Sequence, residues 1–137
     1  MGHHAKEPRW VDRLVVEAVH FDLIRTFGGM PRLRDQQGLE SALARAQHRW
    51  TYEPDSDTAN LAAAYGFGLA TNHPFVDGNK RIAFVTMAVF ATLNGFEIEA
   101  PEEEIVSVML DLASGSLAEA ELASWIRSRL RKVGTSG

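Results

Sequence analysis

An uninterrupted apolar segment, residues 81–94, constrains the fold of this chain more than any other feature. It contains neither proline nor glycine, and most of its side chains are apolar. Such a segment is expected to form a helix that is buried on nearly every face. Asn94, followed by Gly95, supplies a stop signal at its C-terminal end. A helix of this kind needs other elements packed around it, so the chain is predicted to build its core around residues 81–94.

Helical patterns account for most of the remaining chain. These helices are indicated by apolar periodicity, by Asp57 as an N-cap and by a capping box from Ser116 to Glu119. The five further helices are predicted over residues 8–26, 39–48, 58–71, 101–113 and 116–130. The first is expected to turn its apolar side chains inward, namely Val11, Leu14, Val15, Ala18, Val19 and Ile24. The fold class is therefore predicted to be all-α, a compact bundle of about six helices with at most a small β-flap or hairpin.

Two glycines and one histidine inside these helices need an explanation. Gly66 and Gly68 each cost about 1 kcal/mol relative to alanine in a helix. We expect them to allow close helix packing, with an approach to a ligand as the alternative. His20 has Glu17 and Asp22 nearby in the sequence but lacks the spacing of a metal site, so a surface or half-buried structural role is predicted for it.

Composition sets further limits. With 137 residues the chain is long enough for one domain. It has no cysteine, which excludes disulfides and thiolate sites and suits a reducing cytoplasm. The net charge of -4 argues against direct nucleic-acid binding, and neither a signal peptide nor a membrane span is apparent. We predict a cytoplasmic single-domain protein with disordered ends at about residues 1–7 and 134–137.

A polar loop precedes the central helix and carries most of the chemistry in the sequence. It reads Asn72-His73-Pro74-Phe75-Val76-Asp77-Gly78-Asn79-Lys80-Arg81. Pro74 excludes a continuing helix, and Gly78 allows backbone angles that other residues avoid. The segment is therefore predicted to turn between two helices.

The start of the central helix is predicted to bind phosphate. A helix N-terminus exposes unpaired backbone N–H groups and the positive end of the macrodipole. Lys80 and Arg81 stand at this end, where two cations are unfavourable unless an anion compensates them. A purely structural role in a tight turn explains one or two of the residues His73, Asp77 and Asn79, but it does not explain the paired cations.

Asp77 and His73 complete a site for group transfer. A carboxylate beside phosphate fits a role in holding Mg²⁺, which proteins usually bind through one or two carboxylates and phosphate oxygens. An imidazole such as His73 can accept a proton near neutral pH. The loop therefore contains the groups that nucleotide-dependent transfer to a hydroxyl requires.

The motif His73-Pro74-Phe75-Val76-Asp77-Gly78-Asn79-Lys80-Arg81 resembles the signature of the Fic/Doc superfamily. Typical Fic adenylyltransferases have glycine where this chain has Lys80, and that difference resembles the Doc branch, the death-on-curing toxins of bacterial toxin–antitoxin systems. The upstream segment of residues 38–45 also resembles Doc proteins.

The resemblance implies a role for each motif residue. His73 would be the catalytic base and Asp77 the Mg²⁺ ligand. The contacts to ATP would come from Gly78, Asn79, Lys80 and Arg81. In Fic enzymes the glycine leaves room for the α- and β-phosphates, so AMP is transferred. In Doc the lysine fills that space, and the γ-phosphoryl group is presented instead.

The function implied is a toxin kinase that phosphorylates a translation factor, elongation factor Tu at a threonine, and arrests growth. The expected partner is a Phd-like antitoxin, because the chain lacks the inhibitory pattern Ser/Thr-x-x-x-Glu-Gly/Asn of many Fic enzymes. The alternatives are AMP transfer of the Fic type and a catalytically silent partner-binding domain. In Doc-like proteins the segment after the second helix forms a flap, here residues 49–56. Trp50 and Tyr52 would dock a peptide there by β-addition, or else cover the edge of the core.

Overall fold

The structure of the protein is a computed structural model, and it describes residues 6–134. This part of the chain contains six helices and one two-stranded sheet. Their order is α1 (Arg13–Phe27), α2 (Gln36–Tyr52), α3 (Thr58–Asn72), α4 (Asn79–Leu93), β1 (Phe96–Ile98), α5 (Glu102–Ala113), α6 (Glu119–Arg129) and β2 (Leu130–Lys132). The predicted all-α bundle is confirmed. The disorder predicted for the two ends falls mostly on residues outside the described range.

The core is built around α3 and α4. Helix α3 buries two-thirds of its residues and packs against α2, α4 and α6. A Cβ placed on Gly66 would collide with the Met87 side chain of α4, and one on Gly68 would lie 3.0 Å from Cα of Ala42 in α2. Both glycines are therefore needed for close helix packing, as predicted.

Helix α4 confirms the central position predicted for residues 81–94. Its buried residues are Ile82, Ala83, Thr86, Met87, Phe90 and Ala91. Several of the others are half-buried, so the helix lies inside the bundle on most of its faces. Because α3 and α4 are both held by the core, the loop that joins them has two fixed ends.

The predicted inward face of α1 is wrong in part. Leu14, Val15 and Ala18 are exposed, whereas the buried residues of this helix are Val16, His20 and Ile24. These three are spaced by four residues and form one stripe. The apolar periodicity alone did not separate this stripe from its neighbours, because α1 carries apolar side chains on several faces.

Residues 49–56 do not form the predicted extended flap. Helix α2 continues to Tyr52, stabilised by Arg49, which pairs with Glu53 at 3.1 Å and with Glu119 at 2.9 Å. Trp50 packs edge-on against Trp10, and Tyr52 is 85% exposed on the helix. Peptide docking by β-addition at Trp50 and Tyr52 is therefore contradicted, because their backbone is helical.

The last helix begins later than predicted. Ala118 is its N-cap, and the carboxylate of Glu121 accepts a hydrogen bond from the Ala118 N–H at 2.8 Å. Ser116 instead bonds to the Asp111 carbonyl, and Glu119 binds Arg45 and Arg49. After α6, strand β2 pairs antiparallel with β1. Within residues 6–134, no helix combines the length and apolarity needed to cross a lipid bilayer.

Candidate active site

His73 ends helix α3 in a left-handed conformation, with φ 46° and ψ 57°. Among residues 6–134 it is the only non-glycine residue with positive φ. Its N–H donates to the Leu69 carbonyl at 3.3 Å, which closes the last turn of α3. A non-glycine residue is held in this conformation only when its surroundings fix it, and such positions cluster at functional sites. His73, the residue predicted to act as a base, is the C-cap of α3, and its backbone conformation is fixed by its surroundings.

The connection between α1 and α2 fixes one side of the loop. The Arg34 guanidinium donates to the His73 carbonyl at 2.6 Å, and the Arg34 N–H donates to the Pro74 carbonyl at 2.7 Å. Leu33 stands opposite Phe75 in an antiparallel bridge. Residues 32–34 form a short extended segment that lies along the loop. This is the position that was expected for the flap at residues 49–56.

Asn79 closes the other end of the loop. Its carboxamide oxygen accepts from the Phe75 N–H at 3.0 Å, and its amide nitrogen donates to the Phe75 carbonyl at 2.8 Å. The side chain predicted to contact phosphate thus shapes the loop, and the backbone N–H of Asn79 is left to face a ligand.

The N-terminus of α4 presents free donors. Its N-cap, Gly78, has φ 81° and no side chain, and no side chain among residues 6–134 caps the helix start. Within the described residues, the backbone N–H groups of residues 79–81 find no acceptor. Three such donors at the positive end of a 15-residue helix form a site that suits an anion.

The cations around this site also lack carboxylate partners in the described part of the chain. Arg45, Arg49 and the arginines of α6 and β2 each pair with Asp or Glu. Over residues 6–134, no carboxylate lies within 4.0 Å of four cations around the loop, namely Arg32, Arg34, Lys80 and Arg81. The Arg81 guanidinium instead lies 4.1 Å from the ring centroid of Phe27. The rim of the loop therefore carries uncompensated positive charge.

Asp77 has one carboxylate oxygen engaged and one available. Oδ2 accepts from the Met30 N–H at 2.8 Å. A Cβ on Gly29 would lie 3.0 Å from that of Asp77, so the glycine lets the two segments approach. The described residues contain no cluster of three His, Cys, Asp or Glu side chains around a metal position. Asp77 therefore fits Mg²⁺ bound by one protein carboxylate together with phosphate oxygens and water.

A cavity of about 470 Å³ adjoins the loop between α1, α4 and α5. Gly78, Asn79, Lys80 and Arg81 line it together with apolar side chains such as Phe27 and Val106. His73 and Asp77 are not among its lining residues. The cavity is therefore lined by the four residues predicted to contact phosphate, but not by the predicted base or the predicted metal ligand.

Known proteins match this chain over most of its length. The family described as the Fic/DOC family matches residues 10–91, which include the loop and most of α4. The chain belongs to the Fic/Doc family. It is 30% identical over 111 residues to "Protein kinase doc" of Escherichia phage P1, covering 80% of this chain and 86% of that protein. It is 40% identical over 76 residues to "Toxin Doc" of Mycolicibacterium smegmatis, covering 54% of this chain and 58% of that protein.

Membership of the Fic/Doc family confirms the resemblance that was inferred from the motif of residues 73–81. Both relatives carry the name Doc, as expected from Lys80. The surface or half-buried position predicted for His20 is wrong, and its contact with this Fic/Doc loop was missed by sequence reasoning. His20 of α1 is buried beneath it, and its Nε2 lies 2.7 Å from the Asp77 carbonyl oxygen. Its position four residues after Val16 and four before Ile24 was the available signal.

Proposed function

We propose that this chain is a Doc-type toxin that transfers the γ-phosphoryl group of ATP to a hydroxyl of a protein. The observation that carries the proposal is the start of α4, where three backbone N–H groups and the cations Lys80 and Arg81 have no partners among residues 6–134. A triphosphate would satisfy both the donors and the charge. The names of the two relatives, a protein kinase and a toxin, support the same reading.

The reaction needs one proton acceptor and an in-line arrangement. His73 would take the proton of the acceptor hydroxyl, whose oxygen then bonds to the γ-phosphorus. The bond from that phosphorus to the bridging oxygen breaks, ADP leaves, and the proton passes from His73 to solvent. Positioning and charge stabilisation supply most of the catalysis in such transfers. The fixed backbone of His73 and the free donors of α4 supply both.

Asp77 would hold Mg²⁺ through its free carboxylate oxygen. When bound, the ion would neutralise charge on the phosphate oxygens. The Met30 N–H would keep the carboxylate oriented, because it occupies the other oxygen.

Lys80 would determine which group is transferred. It stands in the first turn of α4, beside the free donors, and has no carboxylate partner among residues 6–134. A cation fixed there occupies part of the anion site and changes which phosphate can lie in line with the acceptor. This supports γ-phosphoryl transfer over the AMP transfer of typical Fic enzymes.

The acceptor would be a protein segment bound at the edge of the short extended segment. The N–H and C=O groups of Leu33 have no partner within the described residues, while its neighbours pair with the loop. An extended peptide pairing with Leu33 would lie beside the loop that carries His73. Elongation factor Tu, at a threonine, is the substrate that we propose from the family resemblance.

The antitoxin would bind in the cavity next to α4. Its lining includes three large apolar side chains that are exposed, Phe27, Val106 and Leu110, together with the cations Lys80 and Arg81. A helix with one apolar face and acidic residues at its end matches this combination. We propose a Phd-like antitoxin, whose segment would fold on binding and hinder access to the phosphate site. Both partners would place the protein in the cytoplasm.

Mass spectrometry of the product tests the proposal. The protein is incubated with elongation factor Tu, ATP and Mg²⁺, and the intact factor is weighed. A gain of roughly 80 Da identifies phosphoryl transfer, and a gain of roughly 329 Da identifies AMP transfer. The His73→Ala variant should give no product while remaining folded. Absence of any gain with the wild-type protein would contradict the kinase assignment and favour a binding domain without catalysis.

A further inference from the structure

His20 is a buried polar side chain that the proposed chemistry does not use. It lies in the middle of α1 and is 2% exposed. Buried polar groups are costly unless they are hydrogen-bonded. Its contacts therefore indicate why a histidine stands on the apolar stripe between Val16 and Ile24.

A hydrogen bond and a stacked ring pair join His20 to the loop between α3 and α4. Nε2 lies 2.7 Å from the Asp77 carbonyl oxygen, and the ring stacks on Phe75 with centroids 3.7 Å apart and planes at 13°. A carbonyl oxygen can only accept, so Nε2 carries the hydrogen. One side chain thus fixes the loop at two positions, by a hydrogen bond and by stacking.

Asp77 is consequently held through its main chain and its side chain. His20 binds its carbonyl, while the Met30 N–H binds its carboxylate. The next residue, Gly78, packs on the same ring, since a Cβ there would lie 3.3 Å from Nε2 of His20. The peptide between these residues leads into the first turn of α4, where the free donors lie.

We propose that His20 is a positioning residue for the phosphate and Mg²⁺ loop, acting through the main chain of Asp77. This inference rests on the proposed function, because it assigns the loop a transfer reaction to support. Loss of the donor leaves the Asp77 carbonyl without its partner, so the peptide is free to rotate. Rotation moves the Asp77 carboxylate and the start of α4 together. Displacements of about 1 Å in such sites cost about 100-fold in rate.

Two substitutions separate the hydrogen bond from the ring. His20→Phe keeps a flat ring that can stack on Phe75 but has no donor. His20→Gln keeps a nitrogen donor at a similar distance from the backbone but loses the ring. We expect kcat/KM for phosphoryl transfer to fall about 100-fold in His20→Phe, with most of the loss in kcat, and to stay within about tenfold of the wild type in His20→Gln. Wild-type kinetics in His20→Phe, or equal losses in both variants, would overturn the proposal.

Amide hydrogen exchange provides a readout that does not depend on catalysis. The N–H groups of Phe75 and Val76 are hydrogen-bonded to Asn79 and to Arg32, so they report the order of the loop. Their exchange should be at least about tenfold faster in His20→Phe than in the wild type, beyond any change in global exchange.

Val16→Ala is the matched control, because it removes buried volume from the same stripe one turn earlier and leaves the His20 side chain intact. It should lower global stability and leave the relative protection of Phe75 and Val76 unchanged. Unaltered loop exchange in His20→Phe would refute the positioning role even if the kinase activity is established. Faster loop exchange in a protein that transfers no phosphoryl group would leave the positioning of the loop supported and the proposed function refuted.

Discussion

Asn79 binds both backbone polar groups of Phe75, four residues earlier in the chain, at 3.0 and 2.8 Å. The carboxamide acts in place of a neighbouring strand, because it offers one acceptor and one donor to the same residue. Phe75 is buried, so its backbone groups have no ready access to water. The loop therefore keeps its shape through Asn79, for which the sequence allows a structural role in the turn as well as a contact to phosphate.

Asn79→Ala should destabilise the protein by about 1–3 kcal/mol, the cost of leaving buried backbone groups unpaired. Urea unfolding at neutral pH measures this difference. Asn79→Asp is the informative companion, because it keeps the acceptor for the Phe75 N–H but loses the donor and adds negative charge at the anion site. It should bind ATP more weakly than Asn79→Ala. Equal ATP affinity in the two variants would argue against phosphate at this helix start.

Asp77→Asn should remove the Mg²⁺ dependence of nucleotide binding. The amide oxygen can still accept from the Met30 N–H, so the local hydrogen bond is preserved while the charge is lost. We expect the affinity for ATP in the presence of Mg²⁺ to fall by about tenfold or more, equivalent to about 1.4 kcal/mol. Calorimetric titrations with and without the metal measure it. The prediction fails if the variant shows the same gain from Mg²⁺ as the wild type.

Lys80→Gly should shift the product from phosphoryl to AMP transfer. Removing the side chain opens the space beside Gly78 and takes one cation from the rim of the anion site. The product mass would then change from a gain of roughly 80 Da to one of roughly 329 Da. Lys132→Ala, which removes a cation from β2, serves as the control and should keep the wild-type product. A variant that still transfers only phosphoryl groups would show that Lys80 does not select the reaction.

Local signals in the sequence predicted the helices and the loop, whereas the contacts between distant segments were not predicted. Asp57 and the apolar run of α4 act within a few residues of their positions, so they could be read directly. The pairing of Leu33 with Phe75 and of His20 with Asp77 joins segments more than 40 residues apart. The spacing of residues along the sequence does not indicate which distant segments come into contact. The resemblance to Doc proteins predicts the flap at the end of α2, where ion pairs of Arg49 instead extend the helix.

Asp57 should contribute to the loss of stability in acid. The hydrogen bond from Arg127 holds the pKa of this N-cap carboxylate below its usual range, despite the opposing effect of burial. A lowered pKa in the folded state contributes stability above the unfolded pKa of about 4, and this contribution disappears as the pH falls through the folded value. Asp57→Asn keeps the helix cap but cannot titrate. Thermal unfolding between pH 7 and pH 3 should therefore show a smaller acid decline in this variant than in the wild type.

Tyr65 should destabilise the protein in alkali. Burial raises the pKa of this phenol to about 12, although the Val11 N–H that donates to its oxygen at 3.0 Å opposes the shift. A tyrosine in the unfolded chain ionises near pH 10, so the unfolded state releases its proton first. The stabilising contribution of neutral Tyr65 is complete below pH 10 and declines by about 1.4 kcal/mol per pH unit up to the folded value.

Tyr65→Phe removes this alkaline decline, at the cost of leaving the Val11 N–H without its acceptor at every pH. Its free energy of unfolding, measured by urea denaturation from pH 8 to pH 11.5, should start lower than that of the wild type and then converge on it as the pH rises. Tyr52→Phe is the matched control, because it removes the chain's other phenol from an exposed position. Parallel curves for wild type and Tyr65→Phe would mean that Tyr65 ionises at the same pH in the folded protein as in the unfolded chain, which would contradict the raised pKa.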